Sequence, residues 1–342
     1  MKKEYSIIIK LIFLILISLF AISSFAQKAD SCIWVVTNRV VNSENENKLF
    51  FGSYISPDKQ LRFIEACKCQ KDKWDYQRKN DFTELLRDIN PYEDIVVFAH
   101  GDYKKFDDAV LRALEIHREH NVNVILFTWP SKLPDKSGIK NFKNSQKNVD
   151  LSIDNFVELL LLIQNYKLEH PKIAHNVNFS LFHHSLGNRF IKKMMENNKD
   201  EPLSDNLFNN LILNAAAVNQ EGHKIWVDKI QFAENIYITS NKSDFNLNGA
   251  RLFSKQGKQL GERIKPPLSE NANYINFTKA VGFKIATGTS HTYFIGTIPE
   301  KNPLIKSFYS DLFHGGKIDL QNTKMFQLNK KGLGYDILKK ES

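Results

Sequence analysis

Cysteine is scarce in this chain, and long hydrophobic runs are scarcer. Only Cys32, Cys67 and Cys69 occur among 342 residues, and none of the ten histidines lies in that segment, so a structural metal site lacks ligands there. Cys67 and Cys69 stand too close in sequence for an easy mutual bridge. A disulfide would therefore join Cys32 to one of them and leave the other free. Basic residues exceed acidic ones, for a net charge of +9, yet they form no clustered Lys/Arg stripe and accompany no recognition motif. A nucleic-acid partner is not expected on that pattern. No segment repeats at a fixed period, and no low-complexity linker divides the chain.

A single apolar run stands out, residues 11–22, and twelve residues are short for a membrane span. Lys2 and Lys3 precede it, and Ser24-Phe25-Ala26 places small residues at −3 and −1 of a cut before Gln27. That is the pattern of a secretory signal peptide over residues 1–26. An uncleaved N-terminal anchor is the alternative. The expectation is export to the periplasm or beyond, with no stable membrane span after cleavage near Ala26.

The remainder is ordinary globular material, 42% hydrophobic and 25% charged. Short apolar runs at 33–36, 95–98, 122–127, 177–182, 207–213, 235–239 and 274–277 read as buried strands. Another strand is expected at 48–54, after a polar turn at 42–47. Helical spacing lies between them, notably at 106–114, in one long helix over 146–166, and around 190–194, 225–232, 247–257 and 303–313. Strands alternating with helices predict an α/β fold with a mostly parallel sheet covered on both faces. Residues 27–92 read as an N-terminal extension with short strands, mixed and poorly periodic over 55–91 apart from a helix near 82–86. Residues 93–342 read as the main domain.

The segment 176–190 carries the chemistry. An apolar strand gives way to His183-His184-Ser185-Leu186-Gly187, and a helix with an apolar face follows. A serine at a sharp strand-to-helix turn, with glycine two residues later, is the layout of a nucleophile elbow. The residue two before the serine is normally small, and here it is the bulky His183, which is expected to strain or reshape the turn. The plain alternative for Ser185 is a helix N-cap. In an α/β sheet, reacting groups come from loops at the carboxyl ends of strands. Those ends here offer His100-Gly101, Trp129-Pro130-Ser131, Ser185, Ala217, Asp244 and His291. Ser185, Asp244 and His291 fall in the order nucleophile, acid, base. His314 is the main rival to His291, and Asp244 also suits a helix N-cap. His223 precedes the acid in the chain, and Ser131 has no elbow around it. The adjacent His183 and His184 diverge and have no carboxylate or thiol cluster, so no metal and no cofactor is expected.

Several motifs together resemble uncharacterised bacterial esterase-like proteins of the α/β-hydrolase superfamily. They are Val36-Thr37-Asn38-Arg39, Val97-Phe98-Ala99-His100-Gly101, Phe127-Thr128-Trp129-Pro130-Ser131, His184-Ser185-Leu186-Gly187-Asn188, Tyr237-Ile238-Thr239-Ser240 leading to Asp244, and His291-Thr292-Tyr293-Phe294. The resemblance implies an α/β-hydrolase fold and a serine nucleophile acting on a small ester or acyl substrate. Ser185 would attack, His291 would carry the proton, and Asp244 would orient the imidazole. Oxyanion donors would be the backbone N–H of Leu186 and of Gly101 or Asp102, with His100, Trp129, His183 and His184 shaping the site. Asp102 and the segment 215–219 depart from the family pattern. The competing expectation is a hydrolase scaffold that binds a ligand or protein partner with little or no turnover.

Overall fold

Apolar runs become strands because a parallel sheet buried on both faces leaves no position for polar side chains. The computed structural model describes residues 32–45, 48–70, 73–254, 257–282 and 290–339. The expected signal peptide lies outside the described residues. The strands are β1 (Cys32–Thr37), β2 (Arg39–Asn45), β3 (Lys48–Ile55), β4 (Arg62–Gln70), β5 (Lys73–Lys79), β6 (Ile95–Ala99) and β7 (Asn123–Thr128). They continue with β8 (Phe179–His184), β9 (Phe208–Asn214), β10 (Ala233–Ser240), β11 (Asn273–Asn276), β12 (Phe326–Leu328) and β13 (Tyr335–Ile337). Eleven form one sheet in the order β12-β13-β11-β10-β9-β8-β6-β7-β1-β4-β5, and β2 and β3 pair as a separate hairpin. From β1 through β11 and on to β13 the pairings are parallel; β4, β5 and β12 add antiparallel edges.

Every residue of β6, β7 and β8 is buried. Successive residues of β8 face opposite sides. Phe182 packs on Phe294, Tyr309 and Phe313. His183 meets Phe156 on the other side, where Phe190 joins the same stack. Helix Pro303–Phe313 thus covers one face, and helices Ile153–Glu169 and Asn188–Glu196 cover the other. From β6 the chain moves to β7 on one side and then crosses to β8 on the other. The carboxyl ends of β6 and β8 therefore flank the switch point, where α/β sheets open a crevice.

Residues 27–92 contribute strands to the sheet, with β1 between β7 and β4. Two expectations need correction. The stretch 55–91 holds two strands, β4 and β5; their edge position leaves one face to solvent, which hides apolar periodicity. The long helix expected over 146–166 is two, Gly138–Leu151 and Ile153–Glu169. Buried Ser152 sits at the break, its hydroxyl accepting from Asn38 Nδ2 at 2.7 Å. The disulfide is Cys32–Cys67. Cys67 lies directly across the antiparallel ladder from Cys32, whereas Cys69 is exposed and free.

Candidate active site

The turn after β8 is tightly enclosed. Ser185 has φ +54°, a left-handed conformation costing a non-glycine residue roughly 1–2 kcal/mol. A short 3-10 turn, Ser185–Gly187, then enters helix Asn188–Glu196. A Cβ on Gly187 would lie 2.6 Å from the Ala99 carbonyl oxygen, and one on Gly101 would lie 2.7 Å from Ser185 Cβ. Both glycines are needed because β6 and β8 are adjacent, with Ala99 paired to His183, which puts Gly101 against Ser185. The Asn188 amide donates to the carbonyls of His183, Ser185 and Asn214 at 2.9–3.2 Å, tying the turn to β9.

His183 does not obstruct this turn. Its ring points to the far face of the sheet, edge-on to Phe156 with centroids 5.2 Å apart. Its Nδ1–H donates to the Gly187 carbonyl at 2.8 Å, bracing the turn. Burial pushes its pKa down to about 4, so the ring is neutral.

The loop after β10 brings in a carboxylate, and a turn between helices Thr278–Val281 and Thr297–Lys301, not the strand end expected, brings in a histidine. The Nδ1–H of His291 donates to Asp244 Oδ2 at 2.6 Å. Asp244 is fully buried and also accepts from the Leu247 N–H at 3.0 Å, capping helix Phe245–Ser254. The two readings of Asp244, cap and histidine partner, hold together. Asn241 fastens this pair: its Nδ2 donates to the Ser290 carbonyl at 2.8 Å, beside His291, and its Oδ1 accepts from Ser243 N–H at 3.0 Å, beside Asp244. Ser185, His291, His184, His100, Gly101, Asp102 and Ala217 line one cavity of about 560 Å³.

Residues 76–287 match the family described as alpha/beta hydrolase of unknown function (DUF900), which is well over half the chain. The chain belongs to that family. The matched stretch contains Ser185 and Asp244 and stops just before His291. Similar solved structures include carboxyl esterase 2 from the mycorrhizal fungus Tuber melanosporum, at 10% identity and TM-score 0.37, covering 82% of this chain and 89% of that one. A thermostable esterase from Pseudomonas putida gives 8% identity and TM-score 0.34, covering 82% and 85%. No curated protein matches the chain.

In this α/β hydrolase, His184 and His100 are both neutral and both fixed. The Asn214 Nδ2 donates to His184 Nδ1 at 3.0 Å, which puts the His184 proton on Nε2. Asn214 is oriented in turn, because its Oδ1 accepts from Thr239 and Tyr309 hydroxyls at 2.8 and 2.5 Å. Burial, then the neighbouring His291, hold the His184 pKa well below 6.5; the two rings lie 4.6 Å apart. The His100 Nδ1–H donates to the Gly101 carbonyl at 2.8 Å, and its Nε2 accepts from the Thr128 hydroxyl at 3.0 Å. Burial and then Arg39 depress His100 to about 3. Its place is to hold the Gly101–Asp102 peptide, with Trp129 stacked on its ring. Trp129 and His183, expected to shape the site, are fully buried and do not line the cavity.

Asp102 has its Oδ1 occupied by Ser145 Oγ at 2.5 Å and Asn141 Nδ2 at 3.0 Å. Burial raises its pKa to about 6. Leu186 is buried at the first turn after β8, where N–H groups lack intrahelical acceptors. The rivals fall elsewhere. His314 donates from Nδ1 to Asp94 and from Nε2 to the His120 carbonyl. His223 is held by the Gln220 carbonyl and the Tyr274 hydroxyl. Ser131 Oγ bonds to the backbone of Lys104. The close trio Cys32, Glu65 and Cys67 has both sulfurs in the disulfide.

Sequence reasoning missed Asn241, Asn214 and the role of Arg39. Arg39 is buried and donates to the carbonyls of Gly52, Lys104 and Trp129 at 2.5–3.2 Å, clamping the β2–β3 hairpin to the loop after β6. Burial lowers its pKa to about 9. An Asn-Arg pair closing an apolar strand was the available signal, since buried charge needs dedicated partners.

Proposed function

We propose that this chain is an exported serine hydrolase that cleaves carboxylic esters through Ser185, His291 and Asp244. The observation that carries the reading is convergence. A serine on a left-handed turn and a histidine bonded to a buried carboxylate border one cavity, although 106 residues separate Ser185 from His291. In this reaction Ser185 Oγ adds to the ester carbonyl while His291 Nε2 takes its proton. Collapse of the tetrahedral adduct expels the alcohol, which receives that proton, and leaves an acyl-serine. Water, deprotonated by the same nitrogen, then releases the acid and restores the serine. Asp244 keeps the His291 proton on Nδ1 and stabilises the imidazolium. The N–H groups of Leu186 and of Gly101 or Asp102 would hold the oxyanion.

Export is supported by the signal-like segment 1–26 and by the Cys32–Cys67 bridge, which persists in oxidising compartments. The deciding experiment is labelling with a fluorophosphonate, which phosphonylates an activated serine. Adduct on Ser185 in the wild type, absent from Ser185→Ala and His291→Ala, is the expected result. A folded wild-type protein that takes no label would overturn the reading in favour of a scaffold that binds without turnover.

A further inference from the structure

The proposed triad leaves two cations in the wall of the same cavity unexplained. Lys104 follows the Gly101–Asp102 turn, and Arg112 stands on helix Phe106–His120. Neither charge is consumed by a strong internal partner. Among the described residues the Lys104 ammonium has no ion pair, and Arg112 reaches Glu115 through Nε at a loose 3.3 Å. That contact leaves the outer edge of the guanidinium fork for a ligand, the edge that matches carboxylate or phosphate. Burial lowers the pKa of both groups, and each cation depresses Lys104 or His184 further. Two like charges half-buried in one cavity wall are unfavourable until an anion joins them.

Asp108 and Glu115, on the same helix as Arg112, act on both cations and offset them in part, from exposed positions. Asp102 shares the cavity wall, but its Oδ1 is engaged by Ser145 and Asn141 and its charge is opposed by Lys132. Elsewhere the wall carries apolar Phe98, Ile139, Phe142 and Leu247 together with polar Asn246 and Thr292. The cavity thus combines apolar side chains, a serine and a cationic corner.

We propose that this cavity selects small esters bearing an anionic group, a carboxylate or phosphate, held by Arg112 and Lys104 while the ester carbonyl lies at Ser185. The inference rests on the hydrolase reading and narrows its substrate class. Arg112 and Lys104 are specificity residues in it.

The test uses paired esters differing only in charge. Monomethyl succinate against methyl succinamate puts the carboxylate on the acyl side; O-acetylglycolate against O-acetylglycolamide puts it on the alcohol side. The expected result is a wild-type kcat/KM ratio, anionic over neutral, of about tenfold or more in one pair. Arg112→Gln should bring that ratio to near one, Lys104→Gln should lower it less, and Arg112→Lys should retain part of it. A ratio of one or below in both pairs, or one that neither Gln variant changes, overturns the proposal. Fluorophosphonate labelling of the same samples separates the two failures: labelled protein without anion preference sinks this inference alone. If Ser185 takes no label, titration of monomethyl succinate and methyl succinamate onto Ser185→Ala protein decides. Tighter binding of the anion, lost on adding Arg112→Gln, supports the anionic corner; equal binding overturns it.

Discussion

Two histidine–carboxylate pairs stand at opposite ends of the parallel sheet, and they are bonded differently. His291–Asp244 lies beyond the carboxyl ends of β8 and β10. His314–Asp94 lies just before the amino end of β6, where Asp94 also accepts from the Asn178 N–H and side chain. Distances within the pairs are nearly equal, 2.6 and 2.7 Å. What differs is the second ring nitrogen. In His314 it donates to the His120 carbonyl at 3.0 Å, so both nitrogens act as donors and the ring has none left for proton transfer. In His291 no bond to a described residue takes the Nε2, and the ring borders the cavity beside Ser185. A histidine–carboxylate pair becomes a base only where one nitrogen is free and the site opens to a substrate.

Removing either side of that contrast should give very different results. Ser185→Ala and His291→Ala are expected to lower kcat by about 10⁴-fold or more, while His314→Ala leaves ester hydrolysis within about twofold, measured by steady-state kinetics. Retained turnover in Ser185→Ala would erase the distinction between the two pairs.

Asp244→Asn sharpens it. Asparagine still caps helix Phe245–Ser254, so thermal stability should move by less than about 0.5 kcal/mol. It cannot fix the His291 tautomer, so kcat should fall roughly 10³–10⁴-fold. A large loss of stability alongside would mean that capping is the main use of Asp244.

Asn241→Ala tests how the pair is held. Loss of the bonds to Ser290 and Ser243 should cost about tenfold in kcat with KM nearly unchanged. An effect confined to KM would show that Asn241 shapes the cavity and does not set the base.

The smallest effect belongs to His314→Gln, and it should appear in stability. The bond to Asp94 raises the His314 pKa above its ordinary 6.5, against desolvation. A raised folded pKa gives stability fully present below the unfolded value and lost as pH rises through the folded one. Asp94 is partly desolvated, but bonds from His314 and Asn178 bring it below 3.8, so its share is lost only as pH falls through that lower value. The pair therefore contributes most between these limits. Because His314 is 40% exposed, solvent screening holds the expected loss at pH 6 to roughly 1 kcal/mol. Denaturant melts at pH 6 and pH 9 should show the variant and wild type converging at the higher pH.

The strands most legible in the sequence were those buried on both faces, because continuous apolar runs such as 95–98 and 122–127 have few other uses. The antiparallel edge was not legible. Among the described side chains of β4 only Ile64 and Ala66 are fully buried, and the Glu65–Lys79 ion pair occupies the other face, so no run forms. The break at Ser152 was equally hidden, since it depends on Asn38, 114 residues away.

The order Ser185, Asp244, His291 and the glycines at 101 and 187 could be read from the chain alone, because local turn chemistry restricts which residues can stand at a strand end. What could not be read is why His314 has both ring nitrogens bonded while His291 does not, since the partners of each lie far away in sequence. Nor could the placement of the His183 ring behind the strand, the bonds of Asn214 and Asn241, or the sharing of one cavity wall by Lys104 and Arg112. Those were decided when β6 and β8 became neighbours and the helices closed over them. A side chain's free nitrogen, its partner and its charge environment are properties of what packs against it.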